Sequence, residues 1–136
     1  MRVYLDTSVI ISYIDEADAN HERALRFLEG LQTQLAVSQL TLVELASVYA
    51  RAGLEEPEAL ALYSIRRTGA TLWRVDFNEV LAQAYRLAGA LRLRSLDLLH
   101  VTAAKAIGAN AIATLDKDII AKAERLEDIG LKVLAP

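Results

Sequence analysis

The chain is built on one alternation, in which short apolar runs are each followed by one or two segments whose apolar residues recur at helical spacing. Residues 2–5 read as a strand ending on Asp6-Thr7-Ser8, with a short helix over residues 9–14. Residues 20–31 carry Ala24, Leu25, Phe27, Leu28 and Leu31 at helical intervals and stop near Gly30. Residues 34–38 form a second strand, followed by helices over residues 41–52 and 57–67. Gly53 and Gly69 end these helices, and Pro57 sits in the first turn of the second. Residues 71–75 alternate like a strand, and residues 77–91 place Val80, Leu81, Ala84, Leu87, Ala88 and Leu91 on one helical face. Ser95 opens a helix through residue 107, residues 111–114 are a strand, residues 118–126 a helix, and residues 132–134 a last strand. This order predicts an α/β fold of three layers, with a mainly parallel central sheet between helices. No linker, repeat or low-complexity tract interrupts it, so residues 1–136 read as a single domain.

Composition narrows the function classes. With 54% apolar and 24% charged residues, the 136-residue chain is globular rather than disordered. It has no cysteine, which excludes disulfides and thiolate metal sites and fits a reducing interior. The start lacks the pattern of a signal peptide, and no apolar run is long enough to cross a bilayer. A soluble, cytoplasmic protein without a membrane partner is expected. The net charge of −3 argues at first against a nucleic-acid partner. If four of the 18 acids gather on a cation, however, the other 14 face 15 Lys and Arg, and the outer surface is close to neutral.

Four of those acids have informative places. Asp6 leaves the first strand, where an open parallel sheet binds its ligands, although an acid there also serves as a helix cap. Thr41-Leu-Val-Glu44 matches a capping box, which alone explains Glu44, yet the first turn of this helix faces the same sheet edge. Asp97 stands just inside a helix that Ser95 is able to cap, in an otherwise apolar segment where an ionised carboxylate is costly unless paired or coordinated. Asp116 follows the fourth strand, and Thr-Leu-Asp-Lys-Asp is also ordinary turn-and-cap chemistry. Parallel topology brings the three at strand-to-helix junctions to one edge, and Asp97 opens a helix of the same layer. Carboxylates that close raise one another's pKa unless a cation joins them. Hard oxygen donors favour Mg²⁺, with Mn²⁺ as a substitute. His21 and His100 lack zinc spacing, and a histidine on a helix face, like His100 three residues after Asp97, is more often packed or hydrogen-bonded than ligating.

At these residues the sequence resembles the PIN-domain family, specifically its VapC-type toxin ribonucleases. The resemblance rests on Tyr-Leu-Asp6-Thr-Ser-Val, on Glu44 in the helix after the second strand, on Ser95-Leu-Asp97-Leu-Leu-His-Val-Thr-Ala-Ala, and on Ala-Thr114-Leu-Asp116-Lys-Asp118-Ile. Each motif is loose, but the ordered set spans nearly the whole chain. It implies a PIN-like fold and a Mg²⁺-dependent endoribonuclease, usually dimeric and restrained by a cognate antitoxin. The family's acidic quartet carries onto Asp6, Glu44, Asp97 and Asp116, its supporting hydroxyl onto Thr114, and a less regular fifth acid onto Asp118. Ile119 stands where the family often has Phe, a minor departure.

The chemistry so implied is hydrolysis of an RNA phosphodiester by water activated on a metal. Asp6 and Asp97 are the expected direct ligands. Glu44 and Asp116 complete the site as ligands of a second ion or by orienting water. Thr7, Ser8 and Thr114 are candidate donors to the carboxylates. Arg92, Arg94 and Lys117 flank the acidic motifs as candidates for holding the RNA backbone, each equally readable as solvated surface charge. Two other readings compete: a PIN-like module that binds RNA or protein without cutting, and a phosphatase with an aspartyl nucleophile. The latter generally needs a second acid two residues after the first, where this chain has Ser8.

Overall fold

The structure, a computed structural model, describes residues 1–136. Five strands, β1 (Arg2–Leu5), β2 (Gln34–Ser38), β3 (Thr71–Trp73), β4 (Ala111–Ala113) and β5 (Lys132–Leu134), form one sheet in the order β3-β2-β1-β4-β5. Every neighbouring pair is parallel. Eight helices connect them: α1 (Thr7–Ile14), α2 (His21–Gly30), α3 (Gln39–Arg51), α4 (Pro57–Thr68), α5 (Phe77–Leu91), α6 (Ser95–Ala106), α7 (Lys117–Ile120) and α8 (Ala123–Asp128).

The register of the central strands sorts the core into two halves. Tyr4 lies between Ala36 and Ile112, and all three point into a cluster with Leu91 of α5, Leu98 and Val101 of α6, Ile119 of α7 and Leu126 of α8. The residues on either side of them, Val3, Leu5, Val37, Ala111 and Ala113, pack instead against Val9 and Ile10 of α1, Leu28 of α2, Leu45 and Tyr49 of α3, and Ile65 of α4. Strand side chains alternate between faces, so this division means that the first four helices cover one side and the last four the other. Tyr4 is the single aromatic of β1 and is fully buried.

The connection leaving β1 runs toward β2, while the one leaving β4 runs the opposite way, toward β5. The adjacent carboxyl ends of β1 and β4 therefore form a topological switch point, where parallel sheets open a crevice for ligands. Asp6 follows β1 directly, and Asp116 lies just beyond β4.

Beyond shifts of one or two residues at other ends, three departures from the sequence reading are informative. The helix expected over residues 118–126 is two short helices, α7 and α8, although no Gly or Pro marks the break. The third strand ends at Trp73 rather than at residue 75. There the Gln39 side chain takes the place of a neighbouring strand: its amide donates to the Val75 carbonyl at 2.7 Å and accepts from the Val75 amide at 3.0 Å. Finally, α3 begins at Gln39 with Ser38 as its N-cap, and Thr41 stands at the third helical position, accepting from the Ser38 amide at 3.3 Å. The capping box therefore belongs to Ser38 and Thr41, and Glu44 is released from it.

Arg92 ends α5 in the left-handed conformation, with φ 53°, where glycine is the usual residue. An L side chain there costs about 1–2 kcal/mol, against roughly 0.5–1 kcal/mol of extra chain entropy for glycine. Arg92→Gly is expected to leave stability unchanged or to raise it by up to about 1 kcal/mol in urea unfolding. A clear loss would show that the Arg92 side chain holds the turn.

Candidate active site

Asp6 occupies the N-cap position of α1 but makes no capping bond. Its side chain turns into the crevice, where only 4% of the residue is exposed. Ser8 Oγ and Thr114 Oγ1 both donate to Asp6 Oδ2 at 2.8 Å. Both hydroxyls are aimed by backbone: Thr114 Oγ1 accepts from the Asp116 amide at 2.9 Å, and Ser8 Oγ accepts from the Leu115 amide at 3.1 Å. The segment after β4 thus sets the carboxylate that follows β1, with Oδ1 left outside this bracing. Burial raises the Asp6 pKa, opposed in part by His100 and the two hydroxyls.

Glu44 lies one turn deeper in α3 and meets a different support. His100 Nε2 is 3.0 Å from Glu44 Oε1, and His100 Nδ1 is 2.8 Å from the Tyr4 hydroxyl. Tyr4 in turn contacts Ser38 Oγ at 2.9 Å and Thr41 Oγ1 at 3.4 Å. Tyr4, Ser38, Thr41 and His100 are all completely buried. Burial alone would raise the Glu44 pKa, but the hydrogen bond from His100 and the proximity of the Thr7 hydroxyl hold it below the usual value. Thr7 Oγ1 is itself buried and stands outside hydrogen-bonding geometry with any group of the protein.

The other two acids meet on the far side of the crevice. Asp97 is at the third position of α6, whose N-cap is Arg94 rather than Ser95, and no side chain caps that helix. Asp116 is the N-cap of α7 and accepts from the Asp118 amide at 2.8 Å, so the turn-and-cap reading of this acid is realised. Single oxygens of Asp97, Asp116 and Asp118 lie within 4.8 Å of one another, as do single ligand atoms of Asp6, Glu44 and His100. The two groups share one field: the Asp97 carboxyl is pushed up to about 6 by burial first, then by the charges of Asp116 and Asp6. Asp118 also pairs with Arg94 at 3.1 Å, an exposed contact of small energetic weight.

The structure therefore brings Asp6, Glu44, Asp97 and Asp116 to one crevice, with Ser8 and Thr114 on Asp6, Thr7 beside Glu44, and Asp118 at the rim. Asp6 makes none of the capping bonds that a plain structural acid would make, and Glu44 none of the capping-box bonds. Arg92 and Arg94 line a cleft of about 360 Å³ together with Lys122 and Asp118, whereas Lys117 projects from the start of α7 as an exposed side chain. The sequence reading expected His100 to be packed or hydrogen-bonded, as it is, but missed its partners Tyr4 and Glu44, the Ser38 end of the line, and Lys122. A tyrosine in an otherwise aliphatic buried strand and a histidine one turn after Asp97 were the available signals.

The donor set fits a divalent cation of the Mg²⁺ class. It offers carboxylate oxygens almost exclusively, and burial together with the charges of Asp116 and Asp6 raises Asp97 in the absence of a neutralising charge. The buried, unpaired Thr7 hydroxyl adds a polar atom with an unmet hydrogen bond at the same place.

A family profile described as the PIN domain matches residues 3–125. Comparison with curated protein sequences finds no match. Among solved structures, the chain is similar to VapC20 of Mycobacterium tuberculosis, described as a sarcin–ricin loop cleaving toxin. The TM-score is 0.72 at 20% identity, over 88% of this chain and 93% of that one. It is also similar to a chain of FitAB bound to a DNA fragment, with TM-score 0.70, 18% identity, and coverage of 98% and 94%. A third similarity is to VapBC-1 of nontypeable Haemophilus influenzae, with TM-score 0.65, 18% identity, and coverage of 99% and 98%. At these identities the structures show a shared fold.

The raised Asp97 carboxyl has a thermodynamic consequence. Between about pH 4 and about pH 6 the folded chain holds a proton there that the unfolded chain has released. Without a divalent cation, stability from this group is lost as pH rises through that window, so the wild type should lose stability relative to Asp97→Asn in thermal unfolding. Above pH 6, adding Mn²⁺ should reverse the loss in the wild type; a cation at 100 times its dissociation constant contributes about 2.7 kcal/mol. An identical pH profile in both proteins would contradict the placement of Asp97.

Proposed function

The chain belongs to the PIN-domain family, and on that premise we propose that it is a divalent-metal-dependent endoribonuclease acting as the toxin of a toxin–antitoxin pair. One observation carries the chemistry: a buried carboxylate, Asp6, braced by two hydroxyls, faces three further acids at the switch point of a parallel sheet. Asp6 and Asp97 would hold the ion directly, with Glu44 and Asp116 as ligands of a second ion or as orienting groups for water. Such an ion, when bound, supplies activation of water for in-line attack and neutralisation of phosphoryl charge.

The chain's own residues do the rest. Ser8 and Thr114 fix the orientation of Asp6, so its free oxygen is presented without rotamer searching. Thr7, with an unused hydrogen bond beside Glu44, is suited to holding a water there. The cleft of Arg92, Arg94 and Lys122 adjoins the acidic rim at Asp118 and would seat backbone phosphates of the RNA, with Lys117 nearby on the outer surface. A polyanion would thus be held beside an acidic centre by local charge, despite the negative net charge.

The toxin role draws support from VapC20, described as a toxin, and from the two-component names of VapBC-1 and FitAB. An antitoxin partner and a homodimer are part of the same reading. Val43, Leu62 and Tyr63 leave apolar side chains exposed on α3 and α4, a surface suited to protein contact. No helix is long and apolar enough to cross a membrane, and a cytoplasmic location is proposed with the toxin role. The phosphatase reading loses ground, since Ser8, in the place of its second acid, is committed to Asp6 and to the Leu115 amide. A non-cutting PIN module has no observation of its own in its favour.

The purified protein is expected to cleave RNA with Mg²⁺ or Mn²⁺ and to stop when EDTA is added. Asp6→Asn and Asp97→Asn should each lower kcat by at least about 100-fold while the circular dichroism spectrum is unchanged. Cleavage that survives chelation, or near-wild-type turnover in either variant, would refute the metal mechanism. Expression of the wild type should arrest growth, and expression of Asp6→Asn should not.

A further inference from the structure

The acid crevice has one member that is held from inside the core. Most of the buried residues are aliphatic, yet Ser38, Thr41, Tyr4 and His100 form a continuous polar line through the interior, each with 0% exposure. Burying four such groups is costly unless every one is satisfied, and a purely packing role would be filled as well by Phe, Leu and Val. The line has one outlet, the Glu44 carboxylate, whose residue is only partly buried.

The direction of the hydrogen bonds follows from the ends. A carboxylate can only accept, so His100 Nε2 carries the proton given to Glu44 Oε1 at 3.0 Å. Nδ1 meets the Tyr4 hydroxyl at 2.8 Å, accepting from it in the neutral ring and donating to it in the imidazolium, so this nitrogen is engaged in either state. Ser38 Oγ at 2.9 Å completes the tyrosine oxygen from the other side. With both ring nitrogens engaged in this way, His100 has no lone pair to offer a cation, although it lies within reach of Asp6 and Glu44. The usual order in metal sites, a carboxylate behind a ligating histidine, is here inverted.

We propose that Tyr4 and His100 are positioning residues that fix the Glu44 carboxylate in one orientation, its Oε1 occupied by the imidazole and its Oε2 left free on the side of the crevice it shares with Asp6. The inference rests on the metallonuclease reading above and adds to it the device that sets one of the acids. Asp6 is braced by hydroxyls from adjacent loops, whereas Glu44 is braced through the core by the first strand and α6. Tyr4 thereby ties the register of the central strand to the geometry of the crevice.

The test is Mn²⁺ binding by isothermal titration calorimetry on the full chain, which needs no turnover, alongside kcat and KM for RNA cleavage. His100→Ala should weaken Mn²⁺ binding by about 10- to 100-fold, the range found when a group orienting a ligand is removed. His100→Gln, whose amide N–H occupies the place of Nε2, should restore binding to within a few-fold of wild type. Tyr4→Phe deletes only a hydroxyl and should weaken binding less than His100→Ala, with the loss in kcat rather than KM; it carries the test if circular dichroism shows His100→Ala unfolded. Wild-type binding in both His100→Ala and Tyr4→Phe would overturn the inference and leave the metallonuclease reading standing. A loss in His100→Gln as large as in Asp6→Asn would overturn it too, by making the imidazole a ligand. Absence of Mn²⁺ binding by the wild type would overturn the metal-site reading and this inference with it.

Discussion

The cost of holding carboxylates out of water and beside one another in one crevice is the constraint on which the site depends. Asp6 is almost fully withdrawn from water, and Asp97 feels it together with Asp116 and Glu44. Left to itself, such a cluster would relax by turning side chains outward or by taking up protons. At Asp6 and Glu44 the first escape is closed by hydrogen bonds from Ser8, Thr114 and His100, so neutralisation there must come from protons or from a cation. The fold serves this constraint: reversal of the connections between β1 and β4 opens the crevice, and the segments leaving those two strands supply Asp6, Asp116 and the two hydroxyls, while α3 and α6 add Glu44 and Asp97.

The two halves of the site are supported by different means. Asp6 is held by short-range loop chemistry, in which Ser8 and Thr114 are themselves aimed by the amides of Leu115 and Asp116. Glu44 is reached by a buried line of side chains that begins at the N-terminus of α3 and passes through the central strand. Asp97 and Asp116 have no comparable bracing of their carboxylates beyond the Asp118 amide. Rigidity is thus concentrated at Asp6 and Glu44, while the Asp97, Asp116 and Asp118 side is more open and adjoins the basic cleft. That asymmetry suits a site in which one side fixes an ion and the other admits a charged chain.

Much of the fold was legible because its signals are local. Period-2 and period-3.6 patterns in residues 2–5, 34–38 and 77–91 depend on which face is buried, and the parallel sheet follows from alternation of strand and helix. Positions of the four acids relative to strand ends were also legible. What each acid does with its oxygens was not, because the partners are far away in sequence. Glu44 looked like part of a capping box until α3 was seen to begin two residues early, at Gln39, with Thr41 in the capping role. His100 is 56 residues from Glu44 and 96 from Tyr4, separations that no local pattern encodes. The break between α7 and α8 lacks a Gly or Pro and left no trace to read.

The placement of β1 at the centre of the sheet bears on how the protein comes into being during translation. The first strand to leave the ribosome pairs with β2 early, but its other neighbour, β4, is not synthesised until residue 111, and Thr114 and Asp116 come later still. Contacts of such sequence separation form late, because the intervening chain must first be closed. A growing chain short of residue 116 therefore lacks the hydroxyl that braces Asp6 and one side of the acid cluster. The crevice is complete only after most of the polypeptide has been made, and a prematurely terminated product would carry Asp6 and Glu44 without the groups that face them.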